Sequence, residues 1–181
     1  KTKRLGLNHL FLEQRMRKDL LTEDDIAFTI APRINAASRM GDPILAHKAL
    51  YEKDRKLAEI HMNELEELNL KRKSEVGDIV SQISFDHDVY KNDVVVVGDP
   101  SWGPGILGLI AQKIIDETKK PVFVWGQGEN GEEVKGSCRS LGDVHLVELM
   151  ASVGNKAFTH FGGHEGAGGF SLLYRSIETL S

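Results

Sequence analysis

The feature that most constrains this chain is the long stretch opening at Asp42-Pro43. An aspartate followed by proline suits a helix start. The carboxylate caps early N–H groups, and proline supplies a helical φ while needing no donor of its own. From Ile44 to Ile83 there is no further proline and only one glycine, Gly77. Ala46, Leu50, Leu57, Ile60, Leu65 and Leu68 recur at spacings near three, four or seven, and the opposite face is heavily charged. The pattern predicts one long helix over residues 43–84, with Gly77 as the point where it bends or ends. Unbroken, such a rod is about 60 Å long at 1.5 Å per residue, more than one small domain needs. A bridge between two bodies is therefore expected, with residues 1–42 on one side and residues 85–181 on the other.

Beyond that helix the pattern changes. Asp93 to Asp99 (DVVVVGD) is a short β-branched run, Pro100 to Gly105 a glycine-punctuated turn, and Ile106 to Glu117 an amphipathic stretch. Pro121 to Gly126 (PVFVWG) reads as a second strand, and a helix crossing between two apolar strands implies a parallel pair. Gln127 to Glu133 reads as a polar loop, Glu132 to Arg139 as a third strand by alternation, and Val144 to Val153 as a short helix. Five glycines fall between Gly162 and Gly169 before Phe170 to Leu173 resumes a strand. The expected fold class is α/β: a long connecting helix followed by a mixed, partly parallel β-sheet domain flanked by helices.

Composition excludes several function classes. No run approaches the roughly 18 consecutive apolar residues of a membrane span, and Lys1 to Leu12 lacks a signal-peptide layout, so the chain reads as cytoplasmic. It opens on Lys1 rather than Met, as a fragment would. The single cysteine, Cys138, excludes an internal disulfide and a multi-cysteine zinc site. It alternates away from Arg139 and is expected to face the core. With 23 Lys and Arg against 27 Asp and Glu, the net charge of −4 gives no general attraction for nucleic acid, so any such binding has to be local. The first twenty residues are locally basic, a run for which a solvated charged face is the favoured reading because such runs are common.

Four segments carry candidate chemistry, each with a plainer reading beside it. In Phe161-Gly-Gly-His-Glu-Gly-Ala-Gly-Gly-Phe170, Gly162 and Gly163 lack the Cβ atoms that keep a phosphate from backbone N–H groups, and His164 adds a donor. The plainer reading is a turn that lets elements pack. In Lys135-Gly-Ser-Cys-Arg-Ser140, the Arg139 guanidinium can fork onto phosphate oxygens, with Ser137 and Ser140 donating beside it; otherwise Arg139 is a surface arginine. Ile30-Ala-Pro-Arg-Ile-Asn-Ala-Ala-Ser-Arg-Met40 places Arg33, Asn35 and Arg39 in a loop among small residues, suited to phosphate or sugar contacts or else to pairing with local acids. Ser101-Trp-Gly-Pro-Gly-Ile106 stands at a helix start, where N–H groups can face an anion, although no P-loop Gly-Lys-Ser/Thr follows. A fifth segment, Phe85-Asp86-His87-Asp88-Val89, imitates a metal motif, but alternation in an extended segment would send His87 away from both aspartates.

Taken in order, the Pro-Arg-Ile-Asn-Ala-Ala-x-Arg segment, the long helix, Trp-x-Pro-Gly-Ile-x-Gly, Gly-Ser-x-Arg-Ser and Gly-Gly-His resemble the C-terminal half of RecJ-family single-stranded-DNA-specific exonucleases, members of the DHH phosphoesterases. The resemblance covers nearly the whole chain. It implies that residues 1–42 correspond to the tail of a DHH catalytic domain, 43–84 to its connecting helix and 85–181 to a DHH-associated substrate-binding domain. It also implies a parent that cuts single-stranded DNA from the 5′ end with Mn²⁺ or Mg²⁺ held by upstream motifs absent from this chain. The chain alone is therefore expected to be inactive and to carry no metal or catalytic residue.

By the same resemblance, Gly162, Gly163 and His164 match the substrate-gripping Gly-Gly-His, Arg139 the backbone-binding arginine, and Arg33, Asn35 and Arg39 the segment beside the cleft. The chain departs from the family pattern at Gly103, where histidine is common, and at Ser38, where glycine is frequent. Single-stranded DNA is the implied partner, with single-strand-binding protein a further one. The rival readings are a phosphodiesterase of short oligonucleotides or cyclic dinucleotides and a non-catalytic nucleic-acid-binding relative.

Overall fold

The computed structural model describes residues 2–83, 92–128, 131–153 and 157–179. The Asp86-His87-Asp88 segment lies outside them. The chain divides into two compact units, Lys1–Glu75 and Val76–Ser181.

The first unit is helical. Helix α1 (Leu5–Glu13) is followed by a single π-helical turn over Asp25–Ile30, which runs directly into α2 (Ala31–Met40). The segment expected as a loop around Arg33 is thus a helix. Pro32 falls in the first turn of α2, directly after the wider π-helical turn, and Ala36 and Ala37 favour helix strongly.

Helix α3 (Ile44–Tyr51) starts at the expected place, with the Asp42 carboxylate accepting from the Ile44 N–H at 2.9 Å. The single helix predicted over 43–84, with Gly77 as its weak point, is nevertheless two helices that part at Glu52 to Asp54. Glu52 turns extended (φ −55°, ψ 135°), and its Oε1 accepts from the N–H groups of Lys53 at 2.7 Å and Asp54 at 3.0 Å. Those bonds hold the Glu52 carboxyl below its usual pKa. Asp54 then caps the next helix by accepting from Leu57 N–H at 3.0 Å. Helix α4 spans Arg55–Gln82 and passes through Gly77 without ending. Leu10, Ala37, Ala49, Met62 and Leu65 form the core of this unit. Gly6 is needed there, since a Cβ would meet the Ala49 carbonyl oxygen at 1.9 Å.

The second unit is a five-stranded sheet in the order β1-β2-β3-β5-β4, comprising β1 (Val95–Gly98), β2 (Val122–Gln127), β3 (Glu133–Arg139), β4 (His160–Gly163) and β5 (Ala167–Leu173). Helix α5 (Leu107–Thr118) makes the crossover from β1 to β2, and these two strands are parallel as expected. The remaining pairs are antiparallel, so the sheet is mixed.

One face of the sheet buries Phe123, Trp125, Val134, Cys138, Phe170 and Leu172 against Leu146 and Met150 of α6 (Leu146–Ser152). On the other face α5 lies against β2 and β3. The glycine-rich segment expected as a turn is mostly strand: Gly162 and Gly163 close β4, and Gly168 and Gly169 lie in β5. Register imposed by β3 overrides the weak strand preference of glycine. A 3₁₀ segment follows over Tyr174–Thr179. Among the described residues no helix is long and apolar enough to cross a membrane.

Candidate functional site

Alternation along β3 puts Lys135, Ser137 and Arg139 on one face, opposite the buried Val134 and Cys138. The register extends that face across two more strands. Ser137 pairs with Gly169 and Gly169 with Gly162, so these three residues form one row. Gly162 and Gly169 are exposed, and the row carries a single short side chain.

The reasons for the two paired glycines differ. Gly163 has φ +148°, and a Cβ there would lie 2.3 Å from the Ala167 carbonyl oxygen, so the backbone itself requires glycine. Gly162 has no such reason. A Cβ built on it meets nothing within 4 Å. Its bareness leaves an open approach to the backbone from outside.

Arg139 stands at one end of this floor. Its Nη1 donates to Ser137 Oγ at 3.1 Å and to the Cys138 carbonyl at 2.7 Å, which fixes the guanidinium beside the sheet. Room for it comes from Gly108 in the first turn of α5, where a Cβ would lie 2.8 Å from Arg139 Nη2 and 3.2 Å from Ser137 Oγ. Gly108 is the last residue of the Trp-x-Pro-Gly-Ile-x-Gly motif, and sequence reading did not give it this part.

His164 sits in the hairpin at the same end of the sheet, exposed, with its N–H donating to the Ala167 carbonyl at 2.9 Å. Its Nδ1 accepts from Gly166 N–H at 3.3 Å, which in the neutral ring puts the proton on Nε2 as an outward donor. A fixed guanidinium, an imidazole N–H, a serine hydroxyl and an unshielded glycine backbone form an arrangement suited to phosphodiester oxygens.

Other expected site residues sit elsewhere. The Ser140 hydroxyl organises a local turn, hydrogen-bonding Asp143 Oδ1 at 3.0 Å and accepting from Gly142 N–H at 3.2 Å. Arg33, Asn35 and Arg39 do not form one cluster. Arg33 is 7% exposed and points inward. It donates through Nε and Nη2 to the two Glu66 carboxylate oxygens, through Nη2 to Gln14 Oε1 at 2.6 Å and through Nη1 to the Thr29 carbonyl at 2.7 Å. Asn35 and Arg39, four residues apart, lie on the exposed face of α2. The Arg39 charge, after burial, helps to lower the Arg72 pKa.

The Trp102 loop is bound to the sheet, its carbonyl accepting from Gln127 N–H at 2.8 Å. Asp99 folds onto Ser101, accepting from its hydroxyl at 2.6 Å and its N–H at 2.8 Å, which holds the carboxyl below its usual pKa. Cys138 is fully buried, as expected, and desolvation outweighs the Arg139 charge to push its thiol up to about 11. At neutral pH it is therefore no nucleophile. Among the described residues no three His, Cys, Asp or Glu side chains converge to hold a metal ion.

Residues missed in the sequence complete the site. Past the floor, away from Arg139, a groove of about 390 Å³ is lined by Pro104, Leu107, Lys135, His160 and Ser171 among others. Period-two alternation from Arg139 was the signal for Lys135. His160 and Ser171 required the register.

Residues 91–180 match the DHHA1 domain family. The single-stranded-DNA-specific exonuclease RecJ of Thermus thermophilus is 34% identical over 148 residues, 82% of this chain and 21% of that protein. The Bacillus subtilis protein of the same name is 29% identical over 182 residues, 99% of this chain and 23% of its own length. The crystal structure of Thermus thermophilus RecJ in complex with Mn²⁺ matches 98% of this chain and 26% of its own, with a TM-score of 0.85 at 30% identity. Its complex with Mg²⁺ gives a TM-score of 0.83 at 29% identity. The chain thus spans between 21% and 31% of the curated relatives it matches. By sequence and structure together, it belongs to the RecJ family, and residues 91–180 are its DHHA1 domain.

Proposed function

We propose that this chain holds single-stranded DNA for a longer RecJ-like 5′→3′ exonuclease. The observation that carries the reading is the bare row Ser137, Gly169 and Gly162 with Arg139 fixed at its end, because Gly162 is a glycine that the fold itself does not need. Arg139 and His164 Nε2 donate to phosphate oxygens, while the floor admits the sugar–phosphate chain close to the backbone. Contacts of this kind give register without reading base identity. Asn35 and Arg39, on the exposed face of α2, are candidate polar contacts of the helical unit taken by itself. Arg33 shapes the first unit and touches no substrate.

Hydrolysis belongs to other parts of the parent. The resemblance puts the ligands of the implied Mn²⁺ or Mg²⁺ ions in upstream motifs of the parent, and the role proposed for this chain is binding. Residues 1–42 belong to the catalytic domain, 43–84 connect it and 85–181 bind substrate. A cytoplasmic enzyme of DNA repair and recombination, working beside single-strand-binding protein, is the setting this reading implies.

Arg139→Ala is expected to weaken oligothymidylate binding by roughly 1 to 3 kcal/mol, the range for losing a charge-assisted contact. The log–log salt slope should fall by about 0.7 for each phosphate contact removed. Fluorescence anisotropy at several salt concentrations measures both, and unchanged affinity and slope would overturn the proposal.

A further inference from the structure

We infer that the DNA path continues beyond the glycine floor into a second phosphate subsite formed by Lys135, His160 and Ser171. The inference rests on the reading of Arg139 as a strand-gripping residue. It is carried by the register. Lys135 pairs with Ser171 and Ser171 with His160, so an ammonium, a hydroxyl and an imidazole stand in one row across β3, β5 and β4. Two residues along the strands lies the floor row, and two beyond that Arg139 pairs with Ala167.

The open face therefore alternates by row: cationic, bare, cationic. Arg139 and Lys135 are four residues apart on one strand, about 13 Å at 3.3 Å per residue. Phosphates of one strand rise about 3.4 Å apiece in a duplex and lie farther apart when the strand is extended, so that distance holds roughly two to four of them.

The groove at the Lys135 end fits a continuing strand. Exposed Pro104 gives it an apolar wall for a sugar or base edge, and no carboxylate is among its described lining residues. The path also has an end. One row farther out on the same face, Glu133 brings a carboxylate, held by the Thr159 hydroxyl at 2.7 Å. A phosphate is repelled there, so the subsite extends one row past the floor and no more.

The test compares thymidylate oligonucleotides of two lengths on the 181-residue chain. A hexanucleotide reaches both cationic rows, whereas a dinucleotide fills only the Arg139 end. The double variant Lys135→Ala/His160→Ala is expected to weaken hexanucleotide binding by about three- to tenfold, with a shallower salt dependence, and to leave dinucleotide binding unchanged. Lys135→Arg should retain the affinity. Urea unfolding midpoints for each variant separate lost contacts from lost structure. Full hexanucleotide affinity in the double variant, with Arg139→Ala impaired, overturns the subsite while sparing the gripping role of Arg139. Equal loss for both lengths overturns it too, since the second row would then act at the first phosphate. If Arg139→Ala impairs neither length, the underlying reading has failed.

Discussion

Gly162→Ala should leave the fold intact and abolish most single-strand affinity, whereas Gly163→Ala should destabilise the fold itself. At Gly162 the new methyl meets no protein atom within 4 Å. Replacing glycine in an extended strand also reduces the entropy of the unfolded chain, so the variant should be as stable as the parent or gain up to about 1 kcal/mol. The methyl nevertheless stands on the exposed floor, where it keeps a phosphodiester from the backbone. A tenfold to hundredfold loss of oligothymidylate binding is expected, the equivalent of about 1.5 to 3 kcal/mol for a displaced charge-assisted contact.

At Gly163 the backbone has φ +148°, a region closed to side chains, and a Cβ would run into the Ala167 carbonyl. Roughly 2 to 4 kcal/mol of stability should be lost. Urea unfolding and anisotropy on the same two proteins check the contrast. A Gly162→Ala protein that binds at parental strength would remove the floor from the site.

The second large effect concerns Arg33. If it contacted substrate, Arg33→Ala would weaken DNA binding and spare stability. Its geometry predicts the opposite outcome. Removing a guanidinium that serves Glu66, Gln14 and Thr29 strands a carboxylate whose side chain is 29% exposed. Breaking a fully buried pair costs about 3 to 5 kcal/mol, and the partial exposure of Glu66 brings the expectation to roughly 2 to 4 kcal/mol. Arg33→Lys should not restore it, because one ammonium cannot serve a two-oxygen fork and two further acceptors at once. Glu66→Gln should fall between, keeping acceptor geometry without charge. A midpoint unchanged in Arg33→Ala would refute the structural role.

The contrast between Arg33 and Arg139 marks the limit of reading this sequence. Both stand in segments that look equally suited to phosphate, yet the partner that draws Arg33 inward, Glu66, is 33 positions away, and no local pattern announces it. Elements with local causes were legible. The parallel β1–β2 pair followed from two apolar runs around one amphipathic helix, and the inward Cys138 followed from alternation.

The failures also have physical causes. The break at Glu52 to Asp54 is made by two carboxylates folding onto nearby N–H groups, and in sequence they look like part of a charged helix face. Pro32 falls in a first turn within a segment read as loop. The strand at Gly162 is held by its neighbours rather than by its own preference, so only the pairing of β4 with β5 reveals it.

Cys138 has a consequence for motion as well as chemistry. It is the chain's single thiol, and it lies at zero exposure in the sheet core beside Gly168 and Met150. No reagent can reach its sulfur until α6 lifts from the sheet or β3 and β5 part. The rate at which it exchanges with a small disulfide therefore clocks how often this core opens, and comparing that rate with and without bound oligonucleotide reports how much a ligand across β3, β5 and β4 slows the opening.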